Sequence, residues 1–155
     1  MSSPFQIFKD PEPENKPWYQ KGLKFKCTEC GQCCTGAPGY TWVTEKESEA
    51  IANFLNISLE EFSKKYLRKV NDRLSLTEKP VTYDCIFLKD KKCQIYPVRP
   101  TQCRTFPWWA KNLNSEEDWN HAATFCEGIN NDAELVPLEK IQDQLEIQKR
   151  SGHLL

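Results

Sequence analysis

Four cysteines fall within eight residues, Cys27-Thr28-Glu29-Cys30-Gly31-Gln32-Cys33-Cys34. A Cys-x-x-Cys pair lets two thiolates reach one metal from a tight turn. Gly31, directly after Cys30, suits a left-handed residue and frees backbone N–H groups to point at sulfur. Such donors stabilise thiolate charge and tune the potential of a cluster. The pair Cys30 and Cys33 repeats the spacing and overlaps the first, and Cys34 follows at once. Adjacent residues tend to point apart, so Cys33 and Cys34 are not expected to complete one tetrahedron. Either two centres share this loop, or one of the two thiols is reactive or packs. A hydrophobic cysteine cluster is the bland alternative, but packing rarely demands four thiols in eight residues.

Four more cysteines lie downstream: Cys85, Cys93, Cys103 and Cys126. All eight are candidate metal ligands, as two four-cysteine sites or as one site with four thiols in other roles. Sequence alone does not assign partners. His121, in a predicted helix, and His153, near the C-terminus, read as surface or packing residues. Coordination is therefore essentially all sulfur, which favours zinc, Cu(I) or iron–sulfur clusters over calcium or magnesium. Arg99 and Arg104 bracket Cys103 and are candidates to offset the negative charge of such a centre or to bind an anionic cofactor. Ordinary ion pairs are the competing reading. Trp108 and Trp109 are expected to fill core rather than to shield the centre.

Composition fits a chain that leans on metal. Ile, Val, Leu and Phe supply about a fifth of the 155 residues, so the aliphatic core is lean. A structural zinc site binds with about 10–16 kcal/mol of apparent free energy, most of it folding energy. The N-terminus, Met1 to Asp10, carries no signal-peptide core, and no stretch reaches the length of a membrane span. The expected compartment is the cytoplasm, where thiols stay reduced and cysteines read as ligands before disulfides. Basic and acidic residues nearly cancel, 21 against 22. That argues against a broad nucleic-acid footprint, and the lysines between Lys16 and Lys26 read as a solvated arm.

The elements that must position the thiols follow from pattern. Residues 1–24, rich in proline at their start, are predicted to be an extended arm anchored by Trp18 and Tyr19. Residues 25–130 form the cysteine domain, and 131–155 a C-terminal helix packed on it. Tyr40 to Val43 suits a short strand. Thr44-Glu45-Lys46-Glu47 is a capping box opening a helix to about Leu55, with Ala50, Ile51, Phe54 and Leu55 on its apolar face. Ser58-Leu59-Glu60-Glu61 is a second box, whose helix would align Leu59, Phe62, Tyr66 and Val70. Leu74 and Leu76 lie in a strand, and Tyr83–Leu88 pairs with Cys93–Tyr96 across Lys89 to Lys92. Pro97, Pro100 and Pro107 exclude a long helix there. Ser115 starts a helix toward Phe125, residues 130–132 form a loop, and Leu138–Arg150 is a last helix stopped by Gly152. The fold class is small α+β: mainly helices, with short strands and irregular cysteine-rich metal-binding loops.

The ordered motifs Cys-x-x-Cys-Gly-x-Cys-Cys, Cys85-Ile86-Phe87-Leu88, Cys93-Gln94-Ile95-Tyr96, Arg99-Pro100-x-x-Cys103-Arg104-x-Phe106-Pro107 and a final Cys126 resemble the CxxCxxCC cysteine-cluster family of YkgJ-type proteins. The resemblance spans about residues 25 to 130. It implies a zinc- or iron-chelating domain of mainly bacterial occurrence, some members of which carry an iron–sulfur oxidoreductase label. Ile86 stands where many members have proline. A related module in flagellin lysine methylases favours an iron–sulfur centre, but nothing here matches their catalytic region, so methyl transfer is not carried over. The expected function is a metal-binding protein with an iron–sulfur or zinc centre and a redox or metal-handling role. The alternative is a structural zinc module for interaction without chemistry. A third reading makes Cys33, Cys34, Cys103 or Cys126 a reactive thiol. The expected partners are metal ions and an unidentified redox or protein partner, with no nucleic acid and no membrane.

Overall fold

The computed structural model describes residues 15–36 and 38–152. The arm expected before residue 15, and His153, lie outside the described residues. Helices and short strands in small sheets make an α+β fold. Among the described residues no helix is long and apolar enough to cross a membrane.

Strand β1 (Leu23–Lys24) follows a turn closed by Gly22 N–H donating to Tyr19 O at 2.9 Å. Strand β2 (Thr41–Val43) leads into helix α1 (Glu45–Phe54). Both arms of the α1 capping box form: Glu47 N–H donates to Thr44 Oγ1 at 3.1 Å, and Thr44 N–H to Glu47 Oε2 at 2.9 Å. The buried face is Ser48, Ile51 and Ala52, whereas Ala50 and Phe54 are exposed. Hydropathy misplaced that face because Ser48 sits in the core with its hydroxyl donating to Thr44 O at 2.9 Å.

Helix α2 (Leu59–Tyr66) keeps half of its predicted box. Glu61 N–H donates to Ser58 Oγ, but the Glu61 carboxylate turns outward to Lys65 at 2.6 Å. The helix ends at Tyr66, and Val70 belongs to strand β3 (Leu67–Val70) rather than to its face. Asn71, left-handed at φ 55°, permits a two-residue turn into strand β4 (Arg73–Leu76), and the Val70↔Arg73 register wins over helix extension. The sheet order is β2-β4-β3, all antiparallel. Strands β5 (Leu88–Lys89) and β6 (Lys92–Cys93) form the expected hairpin, but with two paired positions each. Asp90 and Lys91 both have positive φ, 51° and 64°, as a tight primed turn requires.

Helices α3 (Thr101–Thr105), α4 (Ala110–Leu113) and α5 (Glu116–Ala123) follow, the last capped by Ser115. Strand β7 (Leu135–Val136) pairs antiparallel with β1, and α6 (Leu138–Ser151) stops on left-handed Gly152 at φ 74°.

Two hydrophobic clusters result. The first gathers Val43, Ile51, Ala52, Phe62, Leu76, Phe87 and Ile95, with Cys85 and Cys93 packed against it. The second gathers Trp108, Leu113, Trp119 and Ile141, with Tyr19, Leu23 and Phe25 alongside. Trp108 stacks on Trp119, centroids 5.1 Å apart, so it fills core. Trp109 donates its Nε1–H to Gln102 O at 2.9 Å.

Candidate metal centre

The cysteine loop is tied down at each end by backbone. Phe25 N–H donates to Glu134 O and Lys26 N–H to Gly128 O, both at 3.0 Å. Gly128 is required there, since a Cβ would lie 2.4 Å from Lys26 O. Gly31 has φ 77°, the left-handed residue the motif predicts, and it opens a 3-10 turn over Gln32–Cys34. A Cβ at Gly31 would also lie 2.4 Å from Lys91 O. The loop is thus pressed onto the β5–β6 turn, which brings Cys33 and Cys34 to Cys93. Cys85 N–H donates to Cys34 O at 2.8 Å and fixes the fourth sulfur beside them.

All eight cysteines line one cavity of about 60 Å³. Phe25, Leu76, Ile95, Phe106 and Phe125 supply its apolar walls. Cys33, Cys34, Cys85 and Cys93 form a quartet of lining thiols that shift one another's titration, with Cys34 as the common partner. Adjacent Cys33 and Cys34 both line this cavity, carried by a 3-10 turn that spaces successive side chains by about a third of a rotation.

The four thiols shift in opposite directions. Hydrogen bonding from Cys34 lowers Cys33 and Cys93 to about 7 against the cost of burial, and Arg99 adds a smaller lowering to each. Cys85 is lowered by the same Cys34 contact. Cys34 is pushed up, first by its interaction with Cys33 and then by those with Cys85 and Cys93 and by burial. Burial pushes Cys103 and Cys126 up. Of the four thiols weighed as reactive, only Cys33 moves toward thiolate, and it is also exposed. Cys27 bonds the Tyr96 hydroxyl, which is pushed up to about 12 by that contact.

The two arginines part company. Arg99 lines the cavity, with its Nε–H donating to Tyr96 O at 2.9 Å and its guanidinium 3.7 Å from the Tyr96 ring centroid. Arg104 is exposed, donates to Thr101 Oγ1 at 3.2 Å and lies in a surface groove with Lys46, Glu47 and Arg150. His121 is exposed, edge-on to Phe125 at 5.0 Å. Tyr96, which sequence reasoning passed over, stands inside the Cys93-Gln94-Ile95-Tyr96 motif and could have been found there.

The donors fit a soft metal by chemistry and by number. Sulfurs on one zinc, with bonds of about 2.3 Å, would lie about 3.8 Å apart, a separation close to that of thiols in contact. The sphere is not ready-made: among the described residues no three His, Cys, Asp or Glu donors are already grouped to hold an ion. Metal binding releases thiol protons, so the sulfurs close around an ion as they lose them.

Comparison with known proteins agrees with this chemistry. A family model described as "Putative zinc- or iron-chelating domain" matches residues 26–127. The chain belongs to the CxxCxxCC family. It is also 42% identical over 116 residues to "Uncharacterized protein MJ0661" of Methanocaldococcus jannaschii, covering 72% of this chain and 61% of that relative. No solved structure matches the chain. Metal chelation is therefore the family's description, and it coincides with the cavity where the thiols gather.

Proposed function

We propose that Cys33, Cys34, Cys85 and Cys93 form the heart of an iron–sulfur centre with a redox role, in a reducing compartment such as the cytoplasm. Cys27, Cys30, Cys103 and Cys126 complete the sulfur lining, and Arg99 offsets its charge. Arg104 is left with a surface role. The carrying observation is that eight cysteines share one cavity with internal space. A lone zinc packs solidly between four sulfurs. A water needs about 10–15 Å³ of such space, so about 60 Å³ has room for several atoms of an inorganic core. Apolar walls back the site while Cys27 and Cys33 stay exposed, and the balance of the two tunes potential.

A structural zinc site is the second reading. It is favoured by the quartet alone, since four neighbouring lining thiols match in number and type the donor set of one tetrahedral zinc. Anaerobic purification with counting of iron, zinc and acid-labile sulfide separates the two. Brown protein with iron and sulfide in equal amounts supports the first reading; colourless protein with zinc and no sulfide supports the second. Folded protein that binds neither metal overturns both.

A further inference from the structure

The thiol quartet has a second side. Cys33, Cys34 and Cys85 line the apolar cavity and also a separate cleft of about 110 Å³. That cleft is otherwise bordered by Thr35, Tyr40, Tyr83 and Glu78. The two faces differ in chemistry: the cavity surface is mostly apolar, with Glu29 among its rim residues, whereas hydroxyls and the Glu78 carboxylate make the cleft mostly polar.

Glu78 is placed there by backbone. An isolated antiparallel bridge pairs Glu78 with Cys85, so the carboxylate and the thiol enter the cleft from facing segments. Glu78 Oε1 accepts from Gly39 N–H at 2.8 Å, which holds the loop after the cysteines against β4. Glu78 is half-buried and is the charged side chain among the cleft-lining residues. Arg68 does not line the cleft, but its guanidinium donates to Gly39 O and lies 4.8 Å from the Tyr40 ring centroid, on two residues that do.

On the cavity side a hydrated divalent ion meets mostly apolar surface beyond a rim of Thr28, Glu29 and Gln32, and shedding water against it is costly. From the cleft side it meets oxygen first and sulfur second. Carboxylate oxygen exchanges with bound water, and soft thiolates then take the ion by higher affinity. We propose that this cleft is the port through which a divalent first-row metal ion reaches the quartet, with the Glu78 carboxylate as its first protein ligand. The inference rests on the metal-binding reading above. Each thiol that becomes a ligand releases its proton to solvent, so no oxidant or further reactant is needed.

The experiment loads reduced, metal-free full-length protein with Co(II) under argon and follows sulfur-to-cobalt charge-transfer absorption. Glu78→Gln keeps an oxygen that can accept from Gly39 N–H and removes only the charge. It should slow loading about tenfold, the lower range of electrostatic steering, with the final absorbance unchanged. Glu78→Asp should load near the wild-type rate, and Glu60→Gln, a distant exposed charge, should have no effect. Wild-type loading by Glu78→Gln overturns the port, as does equal slowing by Glu60→Gln, which would mark a general charge effect. A lower final absorbance in Glu78→Gln also overturns it, since Glu78 would then be a resident ligand. If wild-type protein takes up no cobalt, the metal-binding reading itself falls.

Discussion

The cluster around Phe62 and the cluster around Trp108 are both closed by helices, but only the first has sulfur in its wall. Cys85 and Cys93 pack directly against Ile95, Phe87 and their neighbours. The second cluster packs no cysteine; its closure is aromatic, with Trp108 stacked on Trp119 and Phe25 edge-on to Trp108 at 5.5 Å. The first region therefore depends on a state of its thiols, and the second on ordinary burial. Phe25 touches both, as a wall of the cavity and a neighbour of Trp108.

The strongest way to break this contrast is Cys34→Ser. Cys34 is the thiol to which the titrations of Cys33, Cys85 and Cys93 all respond, so its loss should abolish metal binding, measured as metal per protein after anaerobic loading. One thiolate site is worth about 10–16 kcal/mol of apparent free energy, comparable to the roughly 5–15 kcal/mol that holds a whole domain. Amide exchange should then rise sharply in β2 and β4 while Ile141 keeps its protection. Equal loss in both regions would show that they fold as one unit.

Trp119→Ala is the reciprocal change. It should cost about 3–5 kcal/mol by denaturant unfolding, the range for removing a buried Trp, because Trp119 is 5% exposed in the stack. Metal per protein should stay at the wild-type value. A metal deficit would mean that Phe25 transmits packing into the cavity.

Gly31→Ala tests the contact between loop and hairpin. The new Cβ would need a left-handed backbone and would meet Lys91 O. Together these should cost about 2 kcal/mol, with weaker metal binding in competition against a chelator of known affinity. Unchanged binding would show that the Cys33–Cys93 approach does not depend on the loop being pressed home.

How far the sequence reaches differs between these parts. Capped elements were legible: the Thr44 box, the Ser58 and Ser115 caps, the Gly152 stop and the Asp90-Lys91 turn all lie in local pattern. The Gly31 conformation was legible too, because glycine between ligands has few other uses. What local pattern could not give is anything set by partners distant in sequence. Val70 looks helical by spacing and becomes a strand because β4 offers a ladder. Which distant thiol lies beside Cys34 is set by the Cys85 N–H bond to Cys34 O, a contact between segments far apart in sequence. Arg99 and Arg104 look alike in their motif, yet Pro100 begins a new helix between them and sends them to different surfaces.

The smallest effect belongs to Thr44→Ala, at the junction of strand β2 and helix α1. Removing an N-cap oxygen costs about 1 kcal/mol, and here it leaves Glu47 N–H without its acceptor. Glu47 does more than complete the box, because its Oε1 accepts from Thr101 N–H at 2.8 Å and from the Thr101 hydroxyl at 2.6 Å. The same carboxylate thus caps α1 and fastens the start of α3, the helix that carries Cys103. Glu47→Ala should therefore cost more than Thr44→Ala, about 2–3 kcal/mol for hydrogen bonds to a charged group. Denaturant midpoints of the two variants give the ordering. If Thr44→Ala proves as costly as Glu47→Ala, the tie from α1 to α3 contributes nothing, and the first cluster rests on its caps and sulfur alone.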